Sequence, residues 1–113
     1  MVGKFLVLYR STVTAADQMA AAAADPAQAR AGMDLWMQWM QKAGDAIVDF
    51  GAPLNAVGMI PSGDGPAAHI GGYSILQGDT AEAVTDLLSE HPHFHSPGAS
   101  IEVLEFLPAP GGG

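Results

Sequence analysis

The sequence predicts an α+β domain of ferredoxin-like type, a βαββαβ order that builds a four-stranded antiparallel sheet with helices on one face. Three observations predict it. Four short β-rich stretches recur along the 113 residues, apolar residues at helical spacing fill the gaps after the first and third, and the second and third are joined by a long glycine- and proline-rich connection. That order is a split βαβ arrangement.

Taking the elements in order, "KFLVLYR" (Lys4 to Arg10) is a strand with Phe5, Val7 and Tyr9 on one face and Leu6 and Leu8 on the other. Thr14 with Asp17 resembles a capping box and opens a short Met/Ala helix ending near Asp25. Asp25-Pro26 reads as N-cap plus N1 of a longer helix, which Gly44 terminates. Within it Met33, Trp36, Met37 and Met40 mark the buried stripe, and Asp34, Gln38, Gln41 and Asp45 a polar one. "AIVDF" (Ala46 to Phe50) is the second strand and "HIGGYSILQ" (His69 to Gln77) the third. Asp79 with Glu82 caps a helix whose Val84, Leu87 and Leu88 align with His91, and Pro92 ends it. "SIEVLEFL" (Ser100 to Leu107) closes the sheet. Residues 1–107 thus form one domain, and 108–113 a flexible tail with nothing to bury.

Composition narrows the classes of function. Four Lys plus Arg against twelve Asp plus Glu leave a formal charge of -8, which repels nucleic acid and anionic membrane. A small neutral or aromatic ligand fits that balance better. The apolar runs are too short to span a bilayer, and no leader precedes the first strand. Without cysteine there is no disulfide or thiolate chemistry, which fits a cytoplasmic protein. No cofactor motif is present: Gly71-Gly72 enters a strand and no lysine follows it, so it is not a phosphate loop.

The strands are apolar on both faces, whereas helices cover only one. A second copy of the chain is the simplest cover for the other face, since a two-fold dimer packs the same patch of both subunits together. A homodimer through the sheet is therefore expected.

The start "KFLVLYR", the tryptophan-containing helix leading through "AGDAIVDFGAPL", the passage "GGYSILQGDTAEAV" and the ending "HPHFHSPGASIEVLEF" together resemble the YCII-related domain family of the dimeric α/β-barrel superfamily. The resemblance spans Lys4 to Leu107. It implies subunits whose sheets pair in a barrel-like dimer, with a pocket between sheet and helices. Many members carry a "DGPF" signature before the third strand; this chain has Asp64-Gly65-Pro66 followed by Ala67. Some members resemble lyase-type enzymes with a histidine on the first long helix and an aspartate opening an Asp-Pro turn after the second. In this chain those places hold Asp34 and His91. The resemblance thus implies a lyase or isomerase with the pair exchanged, His91 as base and Asp34 as its orienter.

The residues themselves leave three readings of "HPHFHSPG" open. A carboxylate bonded to an imidazole fixes its tautomer and raises its pKa, which makes His91 and Asp34 a workable acid-base pair. The plainer alternative leaves Asp34 solvated and lets His91 end a helix, in a non-catalytic binding or accessory domain. Third, His91, His93 and His95 alternate, so an extended segment would turn three imidazoles to one side as a metal module; Pro92 and Pro97 argue for a turn instead. Trp36 and Tyr9 are candidates for shaping a pocket, and Arg10 for holding an anionic group.

Overall fold

The computed structural model describes residues 3–58, 60, 69–95 and 98–108, with Ala15 and His95 described through their backbone only. The "DGP" triplet at 64–66, Pro97 and most of the tail fall outside these residues. Strands β1 (Gly3–Ser11), β2 (Ile47–Pro53), β3 (His69–Gly78) and β4 (Ser100–Glu105) form one sheet in the order β2-β3-β1-β4. Every neighbouring pair is antiparallel. Helices α1 (Ala15–Ala24) and α2 (Pro26–Ala43) connect β1 to β2, and α3 (Ala81–Leu88) connects β3 to β4. This is the α+β architecture expected from the sequence, and its strand order is compatible with a ferredoxin-like fold.

Local chemistry starts each helix. The Thr14 hydroxyl accepts the Asp17 N–H at 3.0 Å and the Asp25 carboxylate accepts the Gln28 N–H at 3.2 Å, so both expected caps form. The third cap lies one residue later than expected: Thr80, not Asp79, accepts the Ala83 N–H at 3.0 Å. A hydroxyl at the N-cap satisfies a backbone donor that the first helical turn leaves free. At the end of α2, Gly44 takes a φ of +52°, open to glycine at no steric cost.

Alternation along β1 decides what lies inside. Phe5, Val7, Tyr9 and Ser11 are buried, while Leu6, Leu8 and Arg10 between them are half-buried. The buried row packs with Leu76 of β3, Trp39 and Ala43 of α2, and Val84 and Leu88 of α3; Trp36, Met40, Ile47, Leu87, Ile101 and Val103 close around it. One expectation changes here. The inner stripe of α2 is Trp36, Trp39, Met40 and Ala43, and Met33 and Met37 stand 60% and 52% exposed. The reason is the phase of the helix: positions 36, 39, 40 and 43 share the face toward the sheet, and 33 and 37 sit to one side of it. Val7 is 0% exposed and Val103 lies opposite it in the ladder, so both face the helices and not the open side of the sheet.

The open side is read from the same registers, because residues directly opposite in an antiparallel ladder share a face. Leu6 lies opposite Ile75 and Leu104, and Leu8 opposite Tyr73 and Glu102. An apolar patch therefore runs across β3, β1 and β4 on the face away from the core. At one edge, Arg10 pairs with Glu102 at 2.7 Å.

Candidate functional site

The turn after α3 carries the site. The helix ends at Leu88, three residues before His91, and the chain continues in a 3-10 turn over Pro92–His95. His91 is thus beyond the helix whose apolar stripe it was expected to continue. A bond from the His91 N–H to the Leu88 carbonyl at 3.0 Å nevertheless keeps it in line with that stripe. Its side chain is 1% exposed. Pro92 removes a donor that the turn cannot satisfy and sets the φ that the tight turn needs.

Three aromatic rings enclose the imidazole. Trp39 lies 4.3 Å from it, Trp36 4.4 Å and Tyr9 4.9 Å between ring centroids. Trp36 also meets Tyr9 at 5.2 Å and Phe50 at 6.2 Å, both edge-on. The histidine Nδ1 accepts the backbone N–H of His93 at 2.9 Å, so in the neutral ring the proton resides on Nε2. That Nε2 is buried and, among the described residues, has no hydrogen-bond partner. Burial, and secondarily the neighbouring His93, push the His91 pKa down to about 4. The ring is neutral at pH 7.

His93 has a different task. Its Nε2 lies 2.8 Å from the Arg10 carbonyl and 3.1 Å from the Ser100 carbonyl. Carbonyls only accept, so Nε2 carries the proton and ties the turn to the ends of β1 and β4. A second buried chain of bonds starts at Tyr9. Its hydroxyl is 2.9 Å from Ser74 Oγ, which is 2.7 Å from the Phe50 carbonyl. Ser74 has one proton and the carbonyl must receive it, so Tyr9 donates to Ser74 and keeps its own oxygen lone pairs. Burial raises the Tyr9 pKa, an effect that the bond to Ser74 partly offsets.

The structure therefore brings together three of the five residues expected at the site: His91, Tyr9 and Trp36. Arg10 points to the other face of the sheet, bonded through Nε to Glu102 at 2.8 Å. Asp34 is exposed on α2, and no hydrogen bond links it to His91. The reason is helical phase again: Asp34 is two residues from Trp36 and so lies on another side of α2. As for a metal module, the chain forms a 3-10 turn over Pro92–His95 and not an extended segment, and the His95 side chain lies outside the described residues. Among the described residues no three histidine, cysteine or acidic side chains are grouped to hold an ion. Ser74 also belongs to the site and was not singled out in the sequence, whereas His93 was read there only as a candidate metal ligand. Alternation along β3 puts Ser74 on the face of Leu76, a small polar residue in an apolar row, which is the signal that could have found it.

Elsewhere, an open cleft of about 470 Å³ lies between the end of α2 and α3, lined by Ala43, Asp45, Gln77, Asp79, Val84 and Leu87 among others. A smaller one of about 330 Å³ runs beside Trp39, Lys42 and Glu90. No helix among the described residues is long and apolar enough to cross a membrane. Comparison of the chain with protein-family models, with curated proteins and with solved structures finds no match.

Proposed function

We propose that this chain is a YCII-like domain that dimerises through its open sheet face and binds a small molecule at the His91, Tyr9 and Trp36 cluster. One observation carries the binding role: a fully buried imidazole whose Nε2–H has no partner among the described residues, held among aromatic rings. An unsatisfied buried donor costs about 1–3 kcal/mol, a penalty that an acceptor on a ligand would remove. Functional sites are where such local costs are tolerated.

The same geometry ranks binding above the lyase or isomerase role with His91 as base. A general base works best near the operating pH, whereas burial holds His91 at about 4 and Asp34 does not touch it. A side-chain NMR titration of the histidines in the native protein and in Asp34→Asn tests this ranking. His91 is expected to stay neutral down to about pH 5 and to ignore the substitution. Titration above the reference of roughly 6.5, with a fall in Asp34→Asn, would restore the acid-base pair.

The dimer rests on the apolar patch of Leu6, Leu8, Tyr73, Ile75 and Leu104, continued by Phe106, which is 50% exposed. Full burial of about 12 such side chains per dimer, at roughly 1.5–3 kcal/mol each, would contribute at most on the order of 18–36 kcal/mol. Association costs about 4–15 kcal/mol, so burying a good part of the patch is enough.

A further inference from the structure

We infer that the occupant of the His91 site is a neutral, flat molecule bearing a hydrogen-bond acceptor such as an amide or ketone carbonyl, admitted by displacement of the Trp36 ring. The inference rests on the binding role just proposed and specifies its ligand.

The polarity of the site follows from its bonds. The Nδ1 of His91 is occupied by the His93 N–H, so the ring can offer only the Nε2–H, a donor. The Tyr9 proton goes to Ser74 and the Ser74 proton to the Phe50 carbonyl. What Tyr9 can offer a ligand is therefore an acceptor. Neither group is charged at neutral pH, and the cations Arg10 and Lys42 of the neighbouring elements are already paired, the first with Glu102 on the opposite face of the sheet and the second with Glu90. A carboxylate entering this cluster would lose its hydration without meeting a cation, a heavy penalty in a buried site. A hydrocarbon would leave the Nε2–H as unsatisfied as before. A neutral molecule with one acceptor avoids both penalties, and the rings of Tyr9 and Trp39 that remain beside the imidazole select for flatness.

The two tryptophans differ in how they are held. Trp39 is 5% exposed and its indole N–H donates to the Leu87 carbonyl at 3.2 Å, which pins α2 to α3. Trp36 is half-buried, packs against the core and meets the rings of Tyr9, Phe50 and His91, and among the described residues its indole N–H makes no hydrogen bond. It can swing toward solvent without breaking a hydrogen bond, and the space it vacates lies against the imidazole. A minor open state of this kind becomes dominant when a ligand occupies it.

The test uses benzamide, benzoate and toluene as probes of the full chain, read by the His91 Nε2–H resonance and by tryptophan fluorescence. Benzamide is expected to shift the His91 signal, and benzoate and toluene to bind about tenfold more weakly, the effect of one missing hydrogen bond or one stranded charge. Trp36→Ala, or Trp36→Leu if the alanine variant does not fold, should bind benzamide severalfold more tightly, while Trp39→Phe should not. Benzoate or toluene binding as well as benzamide would overturn the ligand class and leave the site standing. Unchanged affinity in both Trp36 variants would overturn the gate. If no probe moves the His91 signal in the native protein or in a folded Trp36 variant, the ligand class and the binding role fall together.

Discussion

At His91 a single side chain converts burial into chemistry. An imidazole in water is partly charged near neutrality, and this one is stripped of water by Trp36, Trp39 and Tyr9, which favours its neutral form. The consequence for stability has a definite sign. The unfolded chain takes up the proton near pH 6.5 and the folded one only near pH 4, so the unfolded state binds more protons in between. Stability from this residue is complete above about pH 6.5 and is lost as pH falls toward 4. The loss amounts to about 3 kcal/mol, measurable by urea denaturation at several pH values, and it should shrink in His91→Phe. Gly51 offers a second prediction at this scale. It has a φ of +87°, and a Cβ there would lie 1.7 Å from the Tyr73 carbonyl oxygen. Gly51→Ala should therefore cost more than the ~1 kcal/mol of an ordinary glycine replacement, read as a lower urea midpoint.

The elements of this fold are joined by a few directed bonds laid over an apolar core. The Tyr9-Ser74-Phe50 chain links β1, β3 and β2 in a row, and β2 follows β3 through irregular register between Ile47 and Ala52, where Gly51 permits the close approach. Ser74→Ala leaves the Tyr9 hydroxyl without its acceptor, and a loss of about 1–3 kcal/mol is expected; Tyr9→Phe combined with Ser74→Ala should be less than additive. The helices hang on their caps in the same way. Thr80→Ala should cost about 1 kcal/mol and lower the melting temperature, whereas Asp79→Ala should leave that cap intact. In contrast, the surface pair of Lys42 and Glu90, 2.6 Å apart, joins two exposed side chains and adds little, although the lysine lowers the Glu90 pKa.

As a whole the molecule is a slab, 48 by 40 Å across and 19 Å thick between Cα extremes. That thickness is one sheet plus one layer of helices, since packed layers stand about 10 Å apart. The dimer proposal belongs at this scale and separates two kinds of substitution. Leu6→Asp or Leu104→Asp should yield a folded monomer in sedimentation, because these residues lie on the open face. Val7→Asp should unfold the chain, because Val7 is sealed beneath the helices. A Leu6→Asp variant that sediments as a folded dimer would remove the open face as the interface.

The order of strands and helices was legible in the sequence because it depends on local things: alternation along Lys4 to Arg10, hydroxyl and carboxylate caps at Thr14 and Asp25, glycine at the end of α2. The same holds for the candidates His91, Tyr9 and Trp36, whose apolar spacing aims them inward. What only the tertiary structure decided is which of them meet. A position on a helix cylinder shifts by about 100° per residue, so whether Asp34 or Trp36 faces His91 depends on the angle at which α2 docks, and the docking is set by the packing of Trp39 and Ala43 on the sheet. Likewise the polarity of the site depends on where two protons go, the one on Tyr9 and the one on His91. The first is fixed by Ser74 and Phe50, which lie far apart from Tyr9 along the chain and which only the folded sheet brings within bonding distance, and the second by the His93 backbone, through the 3-10 conformation of the turn.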